Sequence, residues 1–266
     1  MLSRLGLICL LWASGTVLCA HDLYLLPDLF LVKTGSVLHV GFHNGDSFPE
    51  SEAAPKVERL KEAKLSGKAG SFAVESLHIS GKETLGSVMV PGAGTFLLSV
   101  RTMPSVIELS PANFLDYLKE EGLTEVMEWR ASHQETEKPG RERYTKFAKS
   151  LVKSGQADGF YDHSLGFTLE IIPLADPYAI RGSGSLPVKV LFRGKAAAGL
   201  QLEAAWALGK EHKTTVIGRT GADGAISVPL SKAGLWRLHA LKMERCAEPN
   251  VADWESSWAS LTFEIQ

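Results

Sequence analysis

The last hundred residues constrain this chain most. From about residue 166 onward, "TLEIIPL", "SLPVKVLF", "LQLEAAWAL", "TTVIGRT", "AISVPL", "GLWRLHALKM" and "WASLTFEI" are short apolar runs broken by turn residues. Seven strands in about a hundred residues match the count and size of an immunoglobulin-like sandwich, which is predicted here for residues 166–266. "RTGADGAISVPLSKAGLW" reads as a turn, a strand and a Gly-led strand.

Residues 21–109 carry a similar signature. In "SVLHVGF", Leu38, Val40 and Phe42 share one face, and Val37, His39 and Gly41 the other. "SFAVESLHI", "GSVMVP" and "TFLLSVRTMPSVIEL" continue the pattern around turns such as "PGAGT", as in an antiparallel sandwich. The segment 110–165 differs. "SPANFLDYLKEEGL" has a capping Ser110, Pro111 in the first turn, Phe114, Leu115 and Leu118 at helical spacing, and Gly122 as a stop. "RERYTKFAKSLVKSG" predicts a second helix with a stripe of Tyr144, Phe147, Ala148, Leu151 and Val152, ended by Gly155. The expected fold is therefore mainly β. Two β-sandwich domains, 21–109 and 166–266, flank a short helical insert and linker over 110–165. Trp236, Trp254 and Trp258 are expected in the core rather than on a sugar-binding face.

Residues 1–20 read as a signal peptide. Arg4 gives a positive start, "LGLICLLWASGTVL" an apolar stretch too short for a span, and Ala20 a small residue at the cut. Cleavage between Ala20 and His21 would leave an exported, periplasmic protein with no membrane span. The formal net charge of −2 gives no electrostatic reason to expect nucleic acid. Of the three cysteines, Cys9 and Cys19 would leave with the leader, so Cys246 would have no intramolecular partner. It is not expected to be a nucleophile.

Enzyme signatures such as G-x-S-x-G, the P-loop, a strand-linked G-x-G-x-x-G and H-E-x-x-H do not occur. The eight histidines remain. Once His21 is N-terminal, its α-amine and Nδ1 can chelate one ion, and both nitrogens suit copper, nickel and zinc. Asp22 would leave this end in water. Further ligand candidates are His239 in mid-strand, His43 in "HNGD" and His163 in "YDHS". His39 lies too far along its strand from His43 to share an ion with it, at about 13 Å.

"AHDLYLLPDLF", "FHNGDSFP", "FLDYLKEEGL", "RERYTKFAKSLV", "LEIIPLADPY", "LPVKVLFRGKAAAGLQLEA", "DGAISVPLSKAGLWRLHALKM" and "DWESSWASLTFEI" together resemble a family of exported bacterial proteins associated with nickel and cobalt uptake, the NikM-like proteins. They cover nearly all of 20–266. The resemblance implies a histidine at the mature N-terminus and a metal-handling role, and only His21 carries over. The expected function is binding of nickel, cobalt or copper, for buffering or delivery to a membrane permease of a metal-uptake system. Two other classes stay open: a copper histidine-brace oxidative enzyme, and a metal-free carbohydrate- or protein-binding module of the cell envelope.

Overall fold

The computed structural model describes residues 21–180 and 183–266. The predicted leader, with its cleavage site, Cys9 and Cys19, lies outside the described residues. The first strands are β1 (Leu23–Pro27), β2 (Leu31–Val32), β3 (Val37–Asn44), β4 (Leu60–Gly67), β5 (Gly70–Ala73), β6 (Glu75–Ser80), β7 (Glu83–Met89), β8 (Gly94–Thr102) and β9 (Ser105–Leu109). Helices α1 (Pro111–Glu120) and α2 (Thr124–Ser132) follow, then the long β10 (Gly140–Ser154). The last part holds β11 (Leu169–Pro173), β12 (Gly184–Phe192), β13 (Lys195–Ala196), β14 (Gln201–Leu208), β15 (Glu211–Arg219), β16 (Ala225–Leu230), β17 (Gly234–Arg245) and β18 (Trp254–Ile265).

A ten-stranded sheet is the spine, in the order β15-β14-β17-β18-β10-β8-β4-β5, with β2 and β9 pairing onto β10. The sheet β1-β3-β7-β6 covers one of its faces, and the sheet of β11, β12, β13 and β16 the other. Successive residues of β8 show the division. Phe96 and Leu98 pack in the cluster of Val40 and Phe42, whereas Leu97 joins Leu169 and Ile171. The mainly β class with two sandwiches is as expected. The two sandwiches are joined through the shared sheet.

The helix predicted over 141–153 is instead the central strand β10. It pairs with β8, β9 and β18, and the β18 pairing is parallel, from Glu142↔Trp254 to Ser150↔Thr262. A strand covered on both faces loses period-2 alternation, because apolar side chains are needed on each side. Ala148 and Val152 face the first sandwich while Leu151 faces the second, and the resulting spacing imitates a helical stripe. The insert is therefore a helical pair followed by a strand of the spine.

The first helix forms as predicted. Ser110 Oγ caps the Asn113 amide at 3.3 Å, Pro111 opens the helix, and Gly122 ends it at φ +64. Phe114, Tyr117 and Leu118 are buried, but Leu115 is exposed. The unpredicted α2 buries only Val126 and Arg130, too narrow a stripe to read from sequence. Trp236, Trp254 and Trp258 are buried, as expected. Among the described residues, no helix is long and apolar enough to cross a membrane.

Candidate metal centre

Strand β1 lays the start of the described chain across the sheet. It pairs antiparallel with β3, Leu23 opposite Asn44. The chain then leaves β3 in a loop, 45–53, that returns beside His21. Gly45 permits this path, since a Cβ there would lie 2.7 Å from the Glu50 carbonyl. Its amide donates to the Asp22 carbonyl at 3.0 Å, and Tyr24 donates its hydroxyl to the Glu50 carbonyl at 2.6 Å. Phe48, buried against the edge of the Tyr24 ring, completes the anchor.

This loop brings Asp46 and Glu52 to His21. His21 Nδ1 lies 2.9 Å from Asp46 Oδ2 and 3.5 Å from Glu52 Oε2, and Glu52 Oε1 accepts from the Asp46 amide at 3.1 Å. Among the described residues, these three form a set whose donor atoms lie within 4.8 Å of one another. Two donors held about 2.1 Å from one ion lie roughly 3.0 Å apart at a right angle and roughly 3.4 Å apart at the tetrahedral angle. The two spacings from His21 Nδ1, 2.9 and 3.5 Å, match those values. One imidazole and two carboxylates can hold a divalent cation, and an α-amine on His21 would add a fourth donor to the set.

The other predicted ligands are not brought into this set. His239 carries a carboxylate on each ring nitrogen, Asp22 Oδ1 at 2.9 Å from Nδ1 and Glu121 Oε2 at 3.0 Å from Nε2. Burial would lower its pKa, but these two charges outweigh burial and raise it to about 10, so the ring is an imidazolium. His43 stacks on Tyr24 at 5.4 Å, with Nε2 3.3 Å from Glu83 Oε2 and Nδ1 buried without a hydrogen bond. Burial lowers its pKa to about 4. His163 stacks on Phe160 at 4.4 Å and is exposed. Cys246 is buried, with Sγ 3.6 Å from the Glu248 carbonyl.

Asp22 does not leave this end in water. It is 8% exposed and pairs with Arg237 Nη1 at 2.8 Å as well as with His239. Burial would raise its pKa, but the charges of Arg237 and His239 outweigh that and hold it well below the usual carboxylate range. Arg237 also reaches Glu203 Oε1 at 2.8 Å. The expectation failed because both cations lie on β17, more than two hundred residues away in sequence.

Lys146 on β10 fixes the residue before Asp22. Its Nζ donates to the His21 carbonyl and, at 3.2 Å, to Asn44 Oδ1. Burial lowers its pKa to about 8, against the opposing charges of Asp22, Asp46 and Glu142. Glu142 is buried too, accepting from the Tyr117 and Ser256 hydroxyls, and burial raises its pKa. Sequence reasoning missed Asp46, Glu52, Asp22 and Lys146. Asp22, Asp46 and Lys146 stand in the quoted stretches "AHDLYLLPDLF", "HNGD" and "RERYTKFAKSLVKSG", but none of them is read there as part of a site, and Glu52 stands in no quoted stretch.

A family described as a domain of unknown function, DUF4198, matches residues 18–244. The chain belongs to the DUF4198 family. The match takes in His21, Asp46, Glu52 and both β17 cations, so the DUF4198 region contains the whole constellation. No curated protein matches the chain. Among solved structures, it is similar to a DUF4785 family protein from Legionella pneumophila, at 9% identity and a TM-score of 0.27, over 81% of this chain and 52% of that one. The chain thus spans about half the length of that relative. The D0–D1 domain of intimin is similar at 13% identity and a TM-score of 0.21, over 92% of this chain and 98% of that one. PorU from Porphyromonas gingivalis is similar at 9% identity and a TM-score of 0.21, over 92% and 20%. Likenesses this distant leave the fold to be read from the chain's own strand pairing.

Proposed function

We infer that this protein binds a transition-metal ion, nickel, cobalt or copper, through His21, Asp46 and Glu52, as cargo to be buffered or handed to a membrane permease. The observation that carries the reading is the convergence of two carboxylates on the imidazole of His21 at 2.9 and 3.5 Å. The resemblance to NikM-like exported proteins supports the same reading. Export with cleavage between Ala20 and His21 belongs to it, since cleavage supplies the α-amine as an additional nitrogen ligand. A copper brace would need a second imidazole beside His21, and the neighbours it has are carboxylates. A sugar-binding face would need exposed aromatics, and Trp254 and Trp258 are buried.

The test is titration of Ni(II), Co(II) and Cu(II) into the mature chain and into His21→Ala, Asp46→Asn and Glu52→Gln, with folding checked by circular dichroism. Each variant is expected to weaken binding by at least about tenfold, the loss of one ligand. Unchanged affinity in all three, with the fold intact, would overturn the reading.

A further inference from the structure

The strongest feature outside the metal centre is a cleft of about 320 Å³ lined in part by Lys146. It lies between the segment that leads into β4 and the start of β10. Its wall carries three cationic side chains, Lys56, Arg59 and Lys146, and none of its lining residues is acidic. None of the three makes an ion pair with a carboxylate among the described residues. Arg59 spends one N–H on the Met103 carbonyl at 2.8 Å. Lys146 is 6% exposed and has two oxygen partners, the His21 carbonyl and Asn44 Oδ1, for the three donors of an ammonium. The carboxylates whose charge Lys146 feels are committed elsewhere: Asp22 to Arg237, Asp46 to His21 and Glu142 to Tyr117.

A buried cation without a counter-charge is costly, and the buried Lys146 faces this cleft beside the half-buried Arg59 and the exposed Lys56. A ligand that supplies the missing negative charge removes that cost. Lys56 and Arg59 come from the segment that leads into β4 and Lys146 from β10, so the cations line two walls of the cleft and suit a ligand with more than one anionic group. Tyr144 and Asn44 add polar side chains, and Leu60 gives an apolar surface for a short carbon skeleton. The volume falls at the lower end of the range for small-molecule sites. We propose that this cleft is a binding site for a small organic polycarboxylate, an aliphatic acid with two or three carboxylates. Lys146 forms its floor, and Lys56 and Arg59 its rim. The proposal does not rest on metal binding at His21.

The experiment is calorimetric titration of the full mature chain with citrate, tricarballylate and inorganic phosphate, after metal has been stripped on a chelating resin. A soluble chelator is avoided because it is itself a polycarboxylate. Saturable binding of both tricarboxylates is expected, weakening as salt is raised. Binding should fall roughly tenfold in Lys56→Gln, roughly tenfold in Arg59→Gln, and further in the double variant. Both rim residues lie outside the core, so these variants test the site even if Lys146→Met fails to fold. Absence of saturable tricarboxylate binding, affinity unchanged in the rim variants, or phosphate binding as tightly as tricarboxylate would each overturn the proposal. Because the titration is metal-free, its failure leaves the metal reading standing, and the His21, Asp46 and Glu52 variants alter no residue that lines this cleft.

Discussion

Asp22 Oδ1 lies 2.9 Å from His239 Nδ1, joining the residue just before the first strand to the seventeenth strand. The contact sits between two further ion pairs, Asp22 with Arg237 and His239 with Glu121. Through it, the segment that begins β1 is locked to the spine of the protein. The position of His21, one residue earlier, is therefore set by β17 as well as by its own strand.

Replacing Asp22 by Asn should destabilise the fold by about 3–5 kcal/mol, because Arg237 and the His239 imidazolium are left buried without their shared counter-charge. Urea denaturation of the metal-free protein measures this from the midpoint, at unchanged slope. A loss below about 1 kcal/mol would show that the network contributes little.

The same network gives a pH dependence with a definite sign. The folded pKa of His239, about 10, lies above its ordinary value of 6.5. Its contribution to stability is therefore fully present below pH 6.5 and is lost as pH rises through 10. Asp22, held low, contributes above its ordinary value of 3.8 and loses that contribution as pH falls below it. The stability advantage of the native protein over His239→Gln should shrink steadily between pH 6.5 and 10. Paired urea midpoints at pH 6 and 10 report it, and a constant difference would contradict the assignment.

A second buried pair lies on the opposite face of the spine. Lys149 Nζ donates to Glu170 Oε1 at 2.8 Å, with side-chain exposures of 2% and 1%. Glu170 also accepts from the Leu165 amide and the Ser164 hydroxyl, each at 2.8 Å, and so fixes the entry to β11. Lys149→Met should cost about 3–5 kcal/mol by leaving a bare carboxylate in the core. Adding Glu170→Gln should restore part of that loss, since the amide keeps an acceptor and removes the charge. Thermal melts of the two variants decide it. A double variant less stable than Lys149→Met would mean that the hydrogen bonds of Glu170, rather than its charge, set the cost.

The legible parts of the sequence were those where one face is wet. β3 alternates, α1 has its cap and stop, and the last strands come at regular spacing. β10 was unreadable because both faces are covered, and its Lys146 and Lys149 are buried although they are charged. His21 stood out by its position next to a small residue. Its partners did not, because a ligand set is made by strand pairing. Leu23 opposite Asn44 is what swings Asp46 and Glu52 to His21, and nothing local to "HNGD" announces it.

The role of the N-terminal amine can be separated from that of the side chains. The His21 carbonyl is held by Lys146, and Asp22 is pinned by Arg237 and His239, so the backbone nitrogen of His21 is tethered to a rigid part of the fold. A single glycine added before His21 would leave these anchors in place. It would convert the amine beside the imidazole into an amide, a poor ligand until deprotonated. Mature protein beginning at His21 should therefore bind Ni(II) or Cu(II) at least about tenfold more tightly than the extended form, with equal stability in the metal-free state. His21→Ala should weaken binding at least as much as the extension, because it removes the imidazole from the same chelate. Metal titration of the three proteins, alongside their melting temperatures, makes the comparison. Equal affinities for the native and extended forms would assign the site to the imidazole and the two carboxylates alone, with no part for the amine.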